Sequence, residues 1–373
     1  MIRILNIISD TNIGGAGRVI LNYLSCSDRE RFETLVAVPR GSLLKAPLEE
    51  AGAAVHEVDG IADRSYQKED VAVLKELIRT LNPDLVHTHG CLSGRIAAKQ
   101  CRVPVVYSRH SAFPVPAKLK YPPGRWVNRW LNEHYADRII AVSPATAENL
   151  TDAGVSPKKI TVVMNGVTPL SPIPEEEKAE LKDNLGLSPD VTVFGILARI
   201  EDYKGHLYLV HAAKLLKEMG YKDFRVLIAG TGAFEEEVAR SVLEMGVEDV
   251  VQMLGFRSDV NALLSILDVQ LNASYGTEAT SIALLEGMSL ALPSIVSDYG
   301  GNPWLVTDGE NGLVFPSKDS RALAQAMAKL IDAPDKRQDM GRRAREVFEE
   351  RFTGQVFARN TEQIYLDILK GAK

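Results

Sequence analysis

Two cations in residues 198–205 have the arrangement of a phosphate site. The segment reads Ala-Arg-Ile-Glu-Asp-Tyr-Lys-Gly, so Arg199 and Lys204 follow closely on the apolar run 191–197. Such a run is typical of a buried strand, and the N–H groups that open a following helix attract anions. Because guanidinium and ammonium groups form charge-assisted hydrogen bonds with phosphate oxygens, the pair predicts a diphosphate site at a strand-to-helix turn. A solvated turn is the alternative interpretation.

Two glutamates further along the chain, Glu278 and Glu286, suit the hydroxyl groups of sugars. If residues 279–290 are helical, the two carboxylates lie about 12 Å apart along the helix axis. One carboxylate can then accept hydrogen bonds from a sugar and the other from a ribose. Cations for the phosphates and acids for the two sugars together predict a nucleotide-sugar site. Glutamates are common on helices, so two unrelated surface residues are the alternative.

The length of 373 residues suits two domains, each large enough for its own hydrophobic core. With 45% hydrophobic and 25% charged residues, the composition is that of an ordinary soluble protein. The cysteines, at positions 26, 91 and 101, lack C-x-x-C spacing and favour a reducing compartment over a disulfide framework. The N-terminal residues read as a first buried strand rather than a leader, and no apolar run reaches the roughly 18 residues of a membrane-spanning helix. We therefore expect a cytoplasmic protein.

Apolar, β-branched runs alternate with helical patterns along the chain, as in parallel sheets covered by helices on both faces. The runs form two series, at 3–8, 34–38, 53–58, 84–88, 104–108, 138–142 and 160–164, and then at 191–197, 225–229, 249–253, 268–272 and 293–297. Residues 168–180 carry prolines and a charge run, which predicts a linker between a domain 1–167 and a domain 181–353. The predicted fold class is α/β, with two doubly wound parallel-sheet domains. Ligands bind at the carboxyl ends of strands in such sheets, so two facing domains would hold the reaction in the cleft between them.

Two motifs in the first domain lie near predicted strand ends. Gly14 and Gly15 occupy a strand-to-helix turn, where backbone amides can face a phosphate or an acceptor. The G-x-G-x-x-G spacing of a dinucleotide site fails, because position 20 is Ile. His87 and His89 alternate along one strand and point to the same face. Two such histidines suit a metal ion, but no third ligand stands nearby in the sequence.

The net charge of −6 is unevenly divided along the chain. Residues 1–170 carry 21 Lys and Arg against 17 Asp and Glu, whereas residues 171–373 carry 22 against 32. The basic first part indicates an anionic surface or acceptor. The excess is too small to indicate nucleic acid.

Segment 111–130 combines prolines, tryptophans and cations. Four prolines in its first thirteen residues predict a long loop, and a helix can begin beyond Gly124. Trp126 and Trp130 then lie on one face of that helix. The cations around them are Lys118, Lys120, Arg125 and Arg129. Aromatic rings flanked by cations predict an interfacial anchor and peripheral contact with an anionic membrane; a core helix whose tryptophans pack on the sheet is the alternative.

Five short motifs follow one another in the second part of the chain. They are Arg-x4-Lys-Gly at 199–205, Ala-Gly-Thr-Gly at 229–232, Leu-Gly-Phe at 254–256, Glu-x7-Glu at 278–286 and Tyr-Gly-Gly-Asn at 299–302. This succession resembles the retaining glycosyltransferases of the GT-B type, in which two Rossmann-like doubly wound domains face a central cleft. It is similar in particular to glycosyltransferase family 4, also described as glycosyl transferases group 1. The resemblance implies a terminal helix, at about 354–373, that returns to the N-terminal domain.

The resemblance implies a hexosyltransferase. Such an enzyme moves a sugar from a nucleotide-sugar, most commonly a UDP-sugar, to a glycan, lipid-linked or small-molecule acceptor in the synthesis of cell-surface polysaccharide or glycoconjugates. It further implies retention of anomeric configuration by front-face attack, with the leaving phosphate taking the acceptor's proton and no enzymic nucleophile. The chain has no Asp-x-Asp triplet, so we expect no metal ion and no cofactor beyond the donor. Arg199 and Lys204 would neutralise the leaving group instead.

The resemblance also assigns roles to individual residues. Those expected at the reaction centre are His110, Arg199, Lys204 and Glu278. Those expected to bind the donor are Gly14, Gly15, Gly230, Gly255, Phe256, Arg257, Thr280, Ser281 and Glu286. The family often has Glu-Gly-Phe-Gly where this chain has Glu-Ala-Thr-Ser at 278–281, so side chains replace glycines beside the donor sugar. For His110, a core histidine bonded to backbone is the alternative.

Three other classes of function are alternatives. A nucleotide-sugar epimerase or a sugar phosphorylase can use the same fold, although the paired motifs disfavour the epimerase. A nicotinamide-dependent dehydrogenase is disfavoured by the failed glycine spacing. A non-catalytic nucleotide-sugar-binding protein is the third.

Overall fold

The computed structural model describes residues 1–371, and the chain forms two compact units. Unit 1 comprises Met1–Thr168 together with the chain from Phe352 onward, and unit 2 comprises Pro169–Arg351. Within the described residues, no helix combines the length and the apolar character needed to cross a bilayer.

Unit 1 is built on a seven-stranded parallel sheet. Its strands are β1 (Ile2–Ile8), β2 (Phe32–Pro39), β3 (Ala54–Val58), β4 (Leu85–His89), β5 (Val105–Arg109), β6 (Arg138–Ala141) and β7 (Ile160–Val162). The helices between them are α1 (Gly15–Cys26), α2 (Lys45–Glu50), α3 (Lys68–Leu81), α4 (Leu92–Gln100), α5 (Ala117–Lys120), α6 (Gly124–His134) and α7 (Pro144–Asp152). The central strands are almost entirely buried, which explains why they read as continuous apolar runs in the sequence.

The strand order of unit 1 is β3-β2-β1-β4-β5-β6-β7. Strand β1 therefore lies between β2 and β4, and the chain proceeds outward from it in both directions. At such a reversal the loops after the two central strands diverge and leave a crevice at the carboxyl edge of the sheet. The ends of β1, β4 and β5 are thus the expected place for a ligand in this unit.

Unit 2 repeats the plan with a six-stranded parallel sheet of order β10-β9-β8-β11-β12-β13. Its strands are β8 (Thr192–Leu197), β9 (Phe224–Ala229), β10 (Val251–Gly255), β11 (Val269–Asn272), β12 (Ser294–Ser297) and β13 (Gly312–Phe315). Its helices are α8 (Glu175–Asn184), α9 (His206–Glu218), α10 (Glu235–Glu244), α11 (Val260–Ser265), α12 (Ile282–Ser289), α13 (Asn302–Leu305), α14 (Ser320–Ile331) and α15 (Pro334–Arg351). The reversal here falls between β8 and β11, so the loops after these two strands frame the crevice.

The segment 168–180, predicted as a linker, is only partly one. The boundary between the units falls between Thr168 and Pro169, and helix α8 begins at Glu175 inside the segment. Three glutamates form the first turn of α8, and negative charge at a helix N-terminus is stabilising. The charge run thus marks the start of a helix rather than an unstructured connection, and residues 169–180 belong to unit 2.

The terminal helix α16 (Gly354–Gly371) belongs to unit 1. It packs on α1, where the ring of Tyr365 meets the ring of Tyr23 edge-on at 6.3 Å between centroids. The Glu362 carboxylate accepts a hydrogen bond from the backbone N–H of Asp28 at 2.9 Å. The last two residues of the predicted helix, 372 and 373, lie outside the described residues.

Candidate functional site

The turn after β8 carries both predicted phosphate ligands. Arg199 is exposed, and Lys204 closes a short 3-10 turn, Asp202–Lys204, directly before α9. Gly205 links that turn to α9 with φ of 77°, the left-handed region that favours glycine. A Cβ atom at Gly205 would collide with the carbonyl oxygen of Ala273, so the glycine lets this turn lie directly against the loop after β11.

Lys204 and Glu278 meet between these two loops. The Lys204 Nζ lies 2.8 Å from Glu278 Oε2, and the two side chains are 17% and 7% exposed. Asn272 Nδ2 and Ser274 Oγ donate hydrogen bonds to the same carboxylate oxygen at 3.0 and 3.1 Å. Burial alone would raise the pKa of Glu278, but the charge of Lys204 and these hydrogen bonds outweigh burial and lower the pKa. The site therefore holds an ionised carboxylate beside a cation.

Glu278 and Glu286 do not share one helix. Helix α12 begins at Ile282, because Ser281 caps it by accepting a hydrogen bond from the Leu284 N–H at 3.4 Å. Glu278 therefore precedes the helix in a loop, and the spacing of 12 Å along a helix axis predicted from the sequence is wrong. Glu286 is half-buried on α12.

The Gly300–Gly301 turn supports the loop that carries Glu278. The Gly301 N–H donates to the Glu278 carbonyl oxygen at 2.9 Å. A Cβ atom at Gly300 or Gly301 would collide with the carbonyl oxygen of Glu278 or Ala279 respectively. Both glycines are therefore required by close backbone packing against the loop that carries Glu278.

The side chains at 279–281, where the family often has Gly-Phe-Gly, turn away from solvent or into local bonds. Ala279 and Thr280 are buried, and the Ser281 hydroxyl serves as the cap of α12. The predicted donor contact of Ser281 must therefore share its hydroxyl with the helix cap.

The loops after β9 and β10 lie beside the turn after β8. The Gly230 N–H donates to the Gly255 carbonyl oxygen at 2.8 Å, and a Cβ atom at Gly230 would collide with the carbonyl oxygen of Ala198. Phe256 projects from the second of these loops and is 73% exposed. Arg257 next to it is held by Asp259, with Nε 2.8 Å from Oδ1. The carboxyl edge of this sheet thus gathers five of the predicted residues of unit 2, which are Arg199, Lys204, Gly230, Gly255 and Glu278.

His206, the first residue of α9, was missed by sequence reasoning. Its side chain is buried, and neither ring nitrogen has a hydrogen-bond partner within residues 1–371. Burial, with the nearby charge of Lys204, lowers the pKa of His206 to about 4, so the imidazole is neutral at pH 7. Its position directly after the Lys-Gly pair was the available signal.

In unit 1, the glycines after β1 lie at the start of α1. Gly14 is the N-cap residue, and α1 begins at Gly15, where a Cβ atom would meet no atom within 4 Å. The space beside Gly15 is therefore open. The predicted approach to a phosphate stays a prediction for both residues.

Three histidines of unit 1 form a connected cluster, named here the histidine cluster, of the buried His87 and His89 and the half-buried His110. His87 is bonded on both nitrogens, to Tyr365 Oη at 2.7 Å and Ser108 Oγ at 2.7 Å. His89 is bonded to Asn6 Oδ1 at 3.0 Å and to His110 Nε2 at 2.8 Å. Burial lowers the pKa of His87 to about 3 and that of His110 to about 4, and lowers that of His89 as well.

The same-face prediction for His87 and His89 is confirmed, since their rings lie 4.4 Å apart. Both nitrogens of each ring are engaged by the partners given above. Over residues 1–371 the structure contains no group of three His, Cys, Asp or Glu side chains that could hold a metal ion. His87 and His89 are therefore fully engaged in hydrogen bonds, whereas the Nδ1 of His110 has no partner within residues 1–371.

A cavity of about 540 Å³ opens at the carboxyl ends of β1, β4 and β5, at the reversal of the unit 1 sheet. Helix α4 contributes Arg95 to its wall, and α6 contributes Asn132. Arg109 and His110 line it at the end of β5. The cavity falls within the range of about 300–1,000 Å³ typical of small-molecule sites.

Segment 111–130 forms two helices rather than one loop and one helix. The short helix α5 (Ala117–Lys120) interrupts the predicted loop, and α6 begins at Gly124 as expected. Trp126 and Trp130 are 66% and 54% exposed, so the alternative of a core helix is wrong. Other exposed apolar side chains of the segment are Phe113, Tyr121 and Val127.

Comparison with known proteins identifies the class. The family model described as glycosyl transferases group 1 matches residues 177–347, and that of glycosyltransferase family 4 matches residues 13–169. A UDP-Gal:alpha-D-GlcNAc-diphosphoundecaprenol alpha-1,3-galactosyltransferase of Escherichia coli is 30% identical over 269 residues, or 69% of either chain. The putative glycosyltransferase EpsD of Bacillus subtilis is 29% identical over 287 residues, covering 73% of this chain and 74% of EpsD.

Solved structures agree on the fold. HepE of Anabaena, crystallised in complex with UDP, superposes with a TM-score of 0.85 at 21% identity, covering 98% of this chain and all of that one (100%). The protein is thus a glycosyltransferase whose domains have the GT-B type of fold. It belongs to glycosyltransferase family 4, the glycosyl transferases group 1. The predicted fold class, with Rossmann-like doubly wound parallel-sheet domains, is confirmed.

Proposed function

We propose that the enzyme transfers a sugar from a UDP-sugar with retention of anomeric configuration. The acceptor is a glycan, a lipid-linked sugar or a small molecule, in the synthesis of cell-surface polysaccharide or glycoconjugate. The observation that carries the proposal is the ion pair of the buried Glu278 with the half-buried Lys204 at the reversal of the unit 2 sheet, close in the chain to the exposed Arg199. The E. coli relative is named for a UDP-Gal donor and a diphosphoundecaprenol-linked acceptor. Its name supports a UDP-sugar donor and, among the acceptors, a lipid-linked sugar.

The cations and the carboxylate of unit 2 have different roles. Arg199 binds the diphosphate, together with those ammonium protons of Lys204 that are not bonded to Glu278. The charges of the two side chains stabilise the diphosphate as it leaves. Glu278, ionised and held rigidly by Asn272 and Ser274, accepts from donor-sugar hydroxyls and stabilises the positive charge of an oxocarbenium-like state. No enzymic nucleophile is assigned, because front-face attack lets the leaving phosphate take the proton of the acceptor.

The remaining parts of the donor fit the loops around this pair. Glu286 on α12 accepts from the ribose hydroxyls, and the exposed ring of Phe256 provides a face for the base. The proposed reaction uses no metal ion and no cofactor beyond the donor, because cations of the protein supply the neutralising charge. In unit 1 we place the acceptor in the cavity that His110 lines.

A thermal-shift screen against UDP-, GDP- and ADP-sugars in buffer containing EDTA tests the donor and the absence of a metal together. We expect UDP-sugars to give the largest rise in Tm. Ligand at a hundred times its Kd stabilises by about 2.7 kcal/mol, which for a unit of this size is a shift of about 5–10 °C. A larger shift with GDP-mannose would overturn the UDP proposal. A shift that is absent in EDTA and appears only when Mg²⁺ or Mn²⁺ replaces the EDTA would overturn the metal-free reaction.

We also propose that segment 111–130 contacts an anionic membrane. Trp126 and Trp130 present exposed rings on α6. Arg129 is paired with Glu133 at 3.0 Å, and Arg125 donates to the Asp152 carbonyl oxygen at 2.8 Å. The cations left to meet lipid headgroups are therefore Lys118 and Lys120 on α5, next to aromatic rings suited to the depth of the headgroups.

Co-sedimentation with vesicles of phosphatidylcholine and phosphatidylglycerol tests the membrane contact. Binding should fall with added salt, and Lys118→Glu/Lys120→Glu should weaken it at least about thirtyfold, since each cation contributes about 1 kcal/mol near the surface. The matched control is Lys68→Glu/Arg79→Glu, which makes the same charge change on exposed positions of α3. Wild-type protein that stays in the supernatant at low salt, or equal loss in the control, would remove the proposal.

A further inference from the structure

Arg95 is a buried cation without a carboxylate partner. It lies on α4 and is only 6% exposed. Its Nη1 donates to Asn132 Oδ1 at 3.1 Å, while its Nε has no partner within residues 1–371. The guanidinium carbon lies 4.1 Å from the centroid of the Tyr107 ring, which offsets part of the cost of burial. Burial lowers the pKa of Arg95, and the neighbouring cation Arg109 lowers it further.

Both arginines face the unit 1 cavity of about 540 Å³. Arg109 is half-buried, and its Nε donates to the Ser111 carbonyl oxygen at 3.0 Å. A third arginine of the wall, Arg64, is already engaged by Asp70 through bonds of 3.0 and 2.9 Å.

Two acidic residues, Asp10 and Asp63, also line the cavity. The Asp63 carboxylate accepts from the backbone N–H and the hydroxyl of Thr11. No ion pair of Arg95 or Arg109 with these or other carboxylates occurs in the described part of the chain. The cavity thus contains two neighbouring cations whose charges repel each other.

We propose that this cavity binds a phosphate group carried by the acceptor, with Arg95 and Arg109 as its ligands. The inference rests on the proposed function, because it specifies the chemistry of the acceptor that unit 1 receives. A buried cation is costly unless an anion meets it, and the planar guanidinium matches the oxygens of a phosphate in a bidentate manner. An anion here would also remove the repulsion between the two arginines.

The cavity and the exposed tryptophans share helix α6. Asn128 and Asn132 face the cavity, while Trp126 and Trp130 are exposed to solvent. A phosphate in the cavity can therefore come from a soluble sugar phosphate or from the head of a polyprenyl phosphate in a membrane. The chemistry that the cavity recognises is the same in both cases.

Calorimetric titration with pyrophosphate in the presence of saturating UDP tests the inference, since UDP occupies the diphosphate site of unit 2. Arg95→Gln and Arg109→Gln should each weaken pyrophosphate binding by about ten- to a hundredfold. The control Arg79→Gln removes one exposed cation on α3 and should bind like the wild type. Equal pyrophosphate binding in the wild type and in both variants, or no saturable binding to the wild type, overturns the inference.

Folding of Arg95→Gln is checked by near-UV circular dichroism. If the buried position 95 does not tolerate the substitution, Arg109→Gln tests the proposal instead. UDP binding should be unchanged in every variant. A wild type that does not bind UDP counts against the proposed donor site, whereas the comparison of Arg95→Gln with wild type still decides the cavity.

Competition then identifies the source of the phosphate. Displacement of pyrophosphate by glucose 1-phosphate supports a soluble acceptor, and displacement by phosphatidylcholine vesicles containing undecaprenyl phosphate supports a lipid-linked one. If neither competes, the assignment of the cavity to the acceptor is overturned.

Discussion

Replacing Lys204 with methionine is expected to destabilise unit 2 by about 3–5 kcal/mol, because it leaves the buried Glu278 carboxylate without its cation. The same variant should weaken binding of the donor diphosphate roughly ten- to a hundredfold through loss of a charge-assisted contact. Stability is measured by urea unfolding, and donor binding by calorimetry with UDP.

The double variant Lys204→Met/Glu278→Gln separates structure from chemistry. Two neutral side chains of similar size can pack without an unpaired charge, so we expect most of the lost stability to return. Sugar transfer by the double variant should be no faster than that of the slower of the two single variants, Lys204→Met and Glu278→Gln. Neither the cation that binds the phosphate nor the ionised carboxylate is restored. Recovery of activity together with stability would show that the pair serves only to hold two loops together.

A matched control lies in the same unit. Lys217 Nζ is 2.6 Å from Asp249 Oδ1, but this pair is on the surface, with side chains 33% and 62% exposed. Lys217→Met should cost less than about 1 kcal/mol and leave transfer unchanged. A cost equal to that of Lys204→Met would mean that burial does not distinguish the two pairs.

The protein should lose stability steeply as the pH falls from about 6.5 to 4. The pKa values of His87, His110 and His206 are lowered to about 3, 4 and 4 respectively, and that of His89 is lowered too. In the unfolded chain these groups titrate near 6.5, so below that pH the unfolded state binds more protons than the folded state. The stability they confer is complete above pH 6.5 and declines as the pH falls towards the folded-state values.

The size of the effect follows from about 1.4 kcal/mol per unit of pKa shift. His87, His110 and His206 should each cost on the order of 2 kcal/mol between pH 6.5 and 5, where most carboxylates are still ionised. Urea unfolding at pH 7.5 and 5.0 measures the loss. His87→Gln should reduce the dependence on pH, whereas the exposed His211→Gln should not change it. Equal midpoints at the two pH values would contradict the neutral state of these four histidines in the folded protein.

Local patterns predicted much of the architecture. Buried strands of a parallel sheet are continuous apolar runs, so the series of strands was visible in the sequence, although β13 (Gly312–Phe315) was missed. Arg199 and Lys204 were correctly placed at the turn after β8, because strand, turn and helix are adjacent in the chain.

Contacts set by topology could not be predicted. Lys204 and Glu278 are 74 residues apart and meet only because the strand order places β11 beside β8. The sequence assigned the two residues to different parts of the ligand. His87 and His89 were expected to share a face, but their network also needs Tyr365 from the terminal helix. Helix α12 begins later than the predicted residue 279, because Ser281 caps it.

Hydrogen exchange measured by mass spectrometry, with and without UDP, tests the donor site most directly. If unit 2 binds the nucleotide as proposed, UDP should slow exchange in 198–206 and 273–281, which carry Lys204 and Glu278, and in the loops 230–232 and 255–257. Lys204→Met should abolish that protection at the same UDP concentration, while Lys217→Met keeps it. Protection confined to other segments, or unchanged in Lys204→Met, would contradict the assignment of these loops to the nucleotide-sugar.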